Sequence, residues 1–140
     1  MRSRGVTIQL LEASTADEIA RAFELMVREK FDGLVVSGTT VLFAHRQTIV
    51  NLAARHRLPA VYVRDEYVAA GGLLSYGRDV IAGYRRAADF AHRILQGAKP
   101  SDLPVEQSAN FRTVANLATA RALGIKIPQS ILLRADKVID

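Results

Sequence analysis

The chain has 140 residues, 49% hydrophobic and 24% charged, which is the composition of an ordinary globular domain or of one lobe of a larger protein. It has no cysteine, so disulfides and thiolate metal sites are excluded. The formal charge of +5 comes from arginines spread over several predicted helices, which does not favour nucleic-acid binding, and no apolar run approaches the roughly 18 residues that span a membrane.

The first 30 residues predict a strand followed by a capped helix. The basic start of the chain precedes an alternating segment that is too short and polar for a signal core, so we expect no export signal in the chain as written. The alternation predicts a strand with one face formed by Val6, Ile8 and Leu10. Thr15 and Glu18 have the spacing of a capping box, so a helix is expected to begin there. Its buried stripe is predicted to contain Ile19, Phe23, Met26 and Val27.

The other segments of the chain can be placed around the stretch 31–77, because it begins with the pattern strand, loop, helix, strand. An apolar run at 34–36 is followed by a polar loop, a predicted helix over 41–56 and a second strand over 58–63. Such a unit has parallel strands and a right-handed crossover. The loop consists of Ser37, Gly38, Thr39 and Thr40.

This loop is therefore expected at the carboxyl end of the first of the two strands, where open α/β sheets bind their ligands. Its hydroxyls and backbone N–H groups could receive an anion at the start of the following helix. An ordinary strand-to-helix turn with a threonine cap is an equally good interpretation.

After residue 63 the pattern becomes less regular. A charged break at 64–67 precedes a short strand at 73–76, which ends at Gly77. A long helix is predicted over 80–96, with Gly97 at its carboxyl end. Its buried side is predicted to contain Ile81, Tyr84, Ala88, Ala91 and Leu95.

The last part of the chain predicts one strand and two helices. A proline-rich surface connection at 99–104 leads to a strand at 111–115. Asn116 is a candidate cap for a short helix that ends at Gly124, and a last helix is predicted over 130–139. The alternation of strands and helices predicts an α/β fold, a parallel sheet with flanking helices.

Catalytic motifs are largely missing from the sequence. Ser75 lies in a segment similar to a nucleophile elbow, but Leu73 stands where the elbow needs glycine. Asp65 and Glu66 form either a catalytic carboxylate pair or, as we favour, a solvated hinge. The histidines have no carboxylate at ligand spacing and are interpreted as surface residues of helices: His45, His56 and His92. Neither a dinucleotide-binding glycine motif nor a Walker motif occurs, so we expect no catalytic residue, cofactor or metal.

Several segments of the second half follow one another in a specific order. They are LPAVY at 58–62, AGGLLSYG at 70–77, YRRAA at 84–88, ILQGAKP at 94–100 and DLPVEQ at 102–107. Two further segments close the chain, NLATARALGIKIP at 116–128 and LRADKVI at 133–139. This succession resembles the ABC transporter substrate-binding proteins of the tryptophan/tyrosine type, and the resemblance runs from about Gly5 to Asp140.

The resemblance implies a type I periplasmic-binding-protein-like fold, in which two α/β lobes joined by three crossovers close on a small ligand. Family members are about twice as long, so the fold is expected to be incomplete in this chain. Residues 1–70 are expected to form part of the second lobe, and residues 71–140 a crossover, the return into the first lobe and carboxyl-terminal helices. The signal peptide, most of the first lobe and the first strand of the second lobe would lie outside the chain.

The resemblance also implies where ligand-binding residues lie. The loop after the strand at 34–36 would face the cleft, Asp65 and Glu66 would lie near a crossover, and Ser75 and Tyr76 would begin the return into the first lobe. Many members carry an Asp-Pro type sequence at the position of the loop, so the departure leaves the identity of the ligand open. The candidate ligand-binding residues are Ser37, Gly38, Thr39, Thr40, Asp65, Glu66, Ser75 and Tyr76.

The functional interpretation is a non-enzymatic solute-binding component of an ABC transporter that recognises a small organic molecule, for example an amino acid. By resemblance its partner is an ABC permease and its location the periplasm. Alternatives are the effector-sensing core of a transcription regulator, for which a DNA-binding helix pair is missing, and a small α/β enzyme, for which no acid, base or nucleophile converges.

Open strand edges lead us to expect marginal stability and self-association of the isolated chain.

Overall fold

The computed structural model of the protein describes residues 5–106 and 110–140. Its strands are β1 (Leu34–Val36), β2 (Ala60–Tyr62), β3 (Leu74–Arg78), β4 (Phe111–Asn116) and β5 (Lys137–Ile139). Its helices are α1 (Ala16–Arg28), α2 (Thr40–Ala44), α3 (Arg46–Arg55), α4 (Asp65–Ala69), α5 (Val80–Leu95), α6 (Leu117–Leu123) and α7 (Gln129–Leu132). A 3₁₀ turn covers Pro100–Asp102.

The strands form one sheet in the order β1-β2-β3-β4-β5. The pairs β1–β2, β2–β3 and β4–β5 are parallel, whereas β3 and β4 are antiparallel. Helices connect the parallel pairs, as the geometry of parallel strands requires. The predicted α/β fold with flanking helices is therefore confirmed, and the sheet, predicted to be parallel, is parallel except between β3 and β4.

The core lies between one face of the sheet and the helices α1, α3 and α4. Tyr62 from β2 and Tyr67 from α4 are among the largest fully buried side chains, and their ring centroids lie 4.7 Å apart. Burial raises the pKa of the Tyr62 hydroxyl above its ordinary value. Each fully buried aliphatic side chain of this core contributes about 1.5 to 3 kcal/mol through the hydrophobic effect.

The opposite face of the sheet carries exposed apolar side chains, and we call it the outer sheet face. Side chains along a strand alternate between the two faces, and Val35, which pairs with Val61, points away from the buried Val36. The exposed members of the outer sheet face are Val35, Tyr76, Phe111 and Val138. The rings of Tyr76 and Phe111 stack with centroids 5.2 Å apart.

Local signals located two helices correctly. The side chain of Thr15 accepts a hydrogen bond from the Glu18 backbone N–H, and the Glu18 carboxylate accepts one from the Thr15 backbone N–H, so the predicted capping box is present. Asn116 caps α6 by accepting a hydrogen bond from the Thr119 N–H at 2.9 Å, and Gly124 ends that helix with φ of 72°.

The predicted strand from Val6 to near Glu12 is wrong. Residues 6–14 form neither strand nor helix and have no strand partner in the described part of the chain, and the three alternating side chains Val6, Ile8 and Leu10 are exposed. An alternating segment forms a strand only where a neighbouring strand can form hydrogen bonds with its N–H and C=O groups. Leu11 and Ala13, just before α1, are the first residues to pack against the core.

Three predictions about the helices on the core side of the sheet need correction. The single helix over 41–56 is two helices, because the backbone of His45 leaves helical dihedrals with φ of −93° and ψ of 17°. The charged break at 64–67 contains the start of α4, which is too short to show helical periodicity. Val27, predicted to be buried, is exposed because it lies 100° around α1 from the buried Met26.

Helix α5 has the predicted bounds to within a residue, but its predicted buried side is exposed. Asp79 caps it by accepting a hydrogen bond from the Ala82 N–H, and none of its 16 residues is buried. Ile81, Tyr84 and Leu95 are 59%, 74% and 87% exposed, because no described helix or strand packs extensively against them. No helix within the two described ranges is both long and apolar enough to cross a membrane.

The predicted last helix over 130–139 is also wrong. Helix α7 is a single turn, and the chain then enters β5, which pairs with β4. Two hydrogen bonds between Asp136 and Thr113, at 2.9 and 2.8 Å, hold the entry to β5 against β4. A strand of three residues depends on its partner, so local sequence does not identify it.

Candidate functional site

The sheet brings three chain segments to one edge. Since β1, β2 and β3 are parallel, their carboxyl ends lie at the same edge, and β4 begins there because it runs antiparallel to β3. The segments that follow the three strands start at Ser37, Val63 and Asp79. This is the edge at which open α/β sheets bind ligands.

The loop that follows β1 is exposed, as predicted, over all four of its residues 37–40. The Thr39 hydroxyl accepts a hydrogen bond from the Leu42 N–H at 3.3 Å and so caps α2, which agrees with the interpretation of an ordinary capped turn. A methyl group added at Gly38 would lie 2.9 Å from Cγ2 of Val63. The loop therefore lies directly against the segment that follows β2.

An open cleft of about 260 Å³ lies at the carboxyl ends of β2 and β3. It is lined by 63–66, 77–81 and Arg112, and thus contains the predicted residues Asp65 and Glu66. The loop after β1 does not line this cleft itself, but it contacts Val63, which does.

Arg64 is the most firmly held charged side chain of the cleft. Its Nε and Nη2 atoms donate to the two carboxylate oxygens of Glu66 at 3.2 and 2.5 Å. Its Cζ lies 3.8 Å from the centroid of the Phe43 ring, a cation–π contact. The side chain is 29% exposed, so it is held by Glu66 and Phe43 and is still partly accessible to solvent.

The ion pair keeps both partners charged. The hydrogen bonds to Glu66 raise the pKa of the Arg64 guanidinium. Partial burial is the largest single influence on Glu66 and acts to raise its pKa. The hydrogen bonds and charge of Arg64, together with hydrogen bonds from the Glu66 backbone and Asp65, outweigh burial and hold that pKa below its ordinary value of 4.5. The cleft therefore presents a positive and a negative group side by side.

A second ion pair closes the other side of the cleft. Arg112 on β4 places Nη1 3.3 Å from Oδ2 of Asp65.

Arg112 pairs in the sheet with Gly77, where an added methyl group would lie only 1.8 Å from the Val63 carbonyl oxygen. Only glycine fits there, and its small size lets β3 pass close beneath the segment that follows β2.

The last two predicted residues lie away from the cleft. Ser75 is 1% exposed and faces the core, where its Oγ has no hydrogen-bond partner among the described residues. Tyr76 is on the outer sheet face, 56% exposed and stacked on Phe111. Of the predicted set, the structure brings Asp65 and Glu66 into the cleft and the loop 37–40 next to it.

Sequence reasoning missed the arginines and one ring that complete the site. Arg64 and Phe43 are distant in sequence and meet because α2 and the segment after β2 lie at the same sheet edge. Arg112 reaches Asp65 only through the antiparallel pairing of β3 and β4. The only local signal was the charged run that begins at Arg64.

In the described ranges no group of three histidine or acidic side chains could hold a metal ion. His56 ends α3 and stacks on the Phe23 ring with centroids 6.2 Å apart, and His45 lies between α2 and α3. These histidines are placed away from the cleft residues.

A sequence model of the family described as ABC transporter substrate binding protein matches residues 1–139. Among solved structures, an ABC domain from Streptococcus pneumonia in complex with L-Trp is 29% identical with a TM-score of 0.83, covering 96% of this chain and 46% of that one. A conserved domain protein from Vibrio cholerae is 25% identical with a TM-score of 0.77, covering 90% and 42%. None of the curated proteins matches the chain significantly.

A third solved structure shares the fold at lower identity. It is the ligand-free, open structure of a substrate binding protein with adhesive properties from Clostridium difficile, 22% identical with a TM-score of 0.65, covering 91% of this chain and 42% of that one. The chain thus spans less than half the length of each of these solved proteins. The family match nevertheless extends over almost every residue, and the chain belongs to the family of ABC transporter substrate binding proteins.

Proposed function

We propose that the chain supplies one wall of the ligand cleft in a solute-binding component of an ABC transporter. The observation that carries the proposal is the charged cleft at the carboxyl ends of β2 and β3, next to an exposed polar loop. Open α/β sheets bind ligands at this edge. A protein that binds a solute and releases it unchanged needs charged contacts but no nucleophile, which agrees with the residues of the cleft.

The charges of the cleft favour a small solute that carries both signs. Three arginines and three carboxylates line it: Arg64, Arg78, Arg112, Asp65, Glu66 and Asp79. A zwitterionic amino acid presents an ammonium and a carboxylate a few ångströms apart and matches such a lining by charge complementarity. The relative from Streptococcus pneumonia was solved in complex with L-Trp, which supports an amino acid as the ligand.

Membership of the family supports the partner and the location. A binding component of an ABC transporter delivers its solute to a membrane permease, and proteins of this kind act in the periplasm or outside the cell. We therefore propose that the protein of which this chain is a part works there. The cleft would close when a second lobe covers the solute from the opposite side.

One wall alone binds weakly. Pockets that enclose a ligand usually measure about 300 to 1,000 Å³ and bury about 70 to 90% of its surface, whereas this cleft is open and measures about 260 Å³. We expect L-Trp to bind the isolated chain with a dissociation constant weaker than about 1 μM. Calorimetry that gives a micromolar or tighter constant would contradict the interpretation of a single wall.

Nuclear magnetic resonance detects weak binding and locates it. Titration with L-Trp is expected to shift the backbone amides of 37–40 and 63–66 saturably. Arg112→Ala should weaken the binding of L-Trp, because it removes from the cleft the arginine that pairs with Asp65. The matched control is Arg121→Ala, which removes an arginine from an exposed ion pair with Asp140. Shifts confined to other parts of the sheet, or equal effects of the two variants, would overturn the proposed site.

A further inference from the structure

Arg64 has an unused hydrogen-bonding edge. A guanidinium carries five N–H donors in a planar fork. Glu66 occupies the side edge formed by Nε and one N–H of Nη2. Among the described residues no other acceptor bonds to Arg64, so the end-on edge, formed by Nη1 and the second N–H of Nη2, remains available. The N–H groups of this edge can donate two parallel hydrogen bonds to the two oxygens of a carboxylate.

Phe43 supports the guanidinium of Arg64. The centroid of its ring lies 3.8 Å from the guanidinium carbon, a cation–π contact. Phe43 belongs to α2, which begins at the end of the exposed loop 37–40, and it also contacts Tyr67 of the core edge-on at 6.2 Å between centroids. The ring therefore has a rigid support, and it holds Arg64 at the cleft that this arginine lines.

We propose that Arg64 is the carboxylate-binding residue of the cleft and that Phe43 is its positioning residue. The ligand class is a small organic carboxylate, which binds end-on to the guanidinium while Glu66 stays on the side edge as a resident counter-ion. The inference rests on the proposed function and deepens it, because it names the group of the solute that is recognised and the residue that recognises it.

Acetate is a probe that tests the inference without an amino-acid ligand. Sodium acetate, added against sodium chloride of equal ionic strength, is expected to shift the side-chain Nε–H resonance of Arg64 and the amides of Phe43 and Glu66 saturably. Arg64→Lys keeps the charge but removes the fork, and is expected to weaken acetate binding about tenfold or more. Arg121 in the wild-type chain is the internal control, since its exposed guanidinium should respond only in a linear, non-saturating way.

Variants at Phe43 and Glu66 separate recognition from a structural role. Phe43→Leu should weaken acetate binding severalfold, and Phe43→Tyr, which keeps the ring, should restore it. Glu66→Gln removes the resident negative charge, so acetate is expected to bind several times more tightly. If Arg64 only stabilised the fold, Glu66→Gln would not strengthen acetate binding.

The outcomes distinguish this inference from the proposed function. Saturable acetate binding at Arg64 without any response to L-Trp would support the carboxylate site and overturn the amino-acid ligand. Binding of L-Trp at the loop and cleft with no acetate response at Arg64 would overturn the carboxylate site alone. An Arg64→Lys variant that binds acetate as the wild type does would also refute it.

Discussion

Gly77 is the residue at which the backbone of β3 passes closest to the segment that follows β2. An added methyl group would lie 1.8 Å from the Val63 carbonyl oxygen, so the backbone has to move to accept it. We expect Gly77→Ala to destabilise the chain by about 1 to 3 kcal/mol or more. Urea unfolding followed by circular dichroism measures this change.

Gly83→Ala is the matched control for this substitution. Gly83 lies within α5 and has no atom within 4 Å of an added methyl group. Replacing a helical glycine by alanine should stabilise the chain by about 0.5 to 1 kcal/mol. Equal stabilities of the two variants would show that the close approach at Gly77 is not a constraint on the fold.

Glu66 gives the site a defined dependence on pH. Its pKa in the folded chain is below the ordinary value of 4.5, because burial, which raises it, is outweighed by the hydrogen bonds and charge of Arg64 together with hydrogen bonds from the Glu66 backbone and Asp65. A carboxyl group with a lowered pKa stabilises the folded state at pH values above its unfolded pKa, and this contribution is lost as the pH falls through the folded pKa. The Arg64 pairing is thus expected to stabilise the chain above about pH 4.5 and to lose its effect below it.

The free energy of unfolding, measured from pH 6 to pH 3 in the wild type and in Glu66→Gln, tests this expectation. The difference between the two curves should shrink as the pH falls, because glutamine does not titrate. A difference that is constant over the range would exclude a titrating contribution from Glu66.

At the residue scale, the sequence predicted part of the site. Asp65 and Glu66 could be proposed because a charged pair directly after a strand is a local pattern. Arg112 and Phe43 could not, since each reaches the cleft through an element that is distant in sequence. Ser75 was proposed by family resemblance, and the alternation of β3 turns it toward the core.

At the scale of single elements, α1 depends on its amino-terminal cap. The Thr15 hydroxyl accepts from the Glu18 N–H in a complete capping box. Thr15→Ala is expected to cost about 1 kcal/mol in the free energy of unfolding. Thr48→Ala, at an exposed position inside α3, is the control and should change stability by less than about 0.5 kcal/mol. A loss from Thr48→Ala as large as that from Thr15→Ala would argue against the cap.

Helices and strands differed in how well they could be predicted. The bounds of α1, α5 and α6 follow from caps, which are local contacts between residues three or four positions apart. The strand β5 and the segment 6–10 were predicted wrongly because a strand exists only where a partner is beside it. The prediction that one side of α5 is buried was wrong for a related reason. Periodicity shows which face of a helix is apolar, but it does not show what covers that face.

At the scale of the whole molecule, apolar surfaces are left uncovered by the residues that the structure describes. They include the outer sheet face and the apolar side of α5. A specific protein contact usually buries about 800 Å² on each partner, and exposed apolar patches of a few hundred Å² already promote association. We expect the isolated chain to be marginally stable and to self-associate, which light scattering recorded with a thermal melt will measure.

Variants on α5 show which surface is responsible. Replacing Tyr84 by Ser and Leu95 by Gln in one chain is expected to reduce association, since both side chains are largely exposed on α5. Val105→Gln, which changes an isolated and fully exposed apolar residue, should leave association unchanged. A wild-type chain that melts cooperatively as a monomer would contradict the expectation.

Val63 lies close to two glycines, one on each of two neighbouring segments. Its side chain meets Gly38 of the loop after β1, and its carbonyl group meets Gly77 of β3. The two segments thereby contact each other through one residue, and we expect them to keep this arrangement when a solute binds. Little conformational entropy is then lost in ordering this wall on binding, so differences in affinity between solutes should report their contacts with the charged groups and not the rearrangement of the protein.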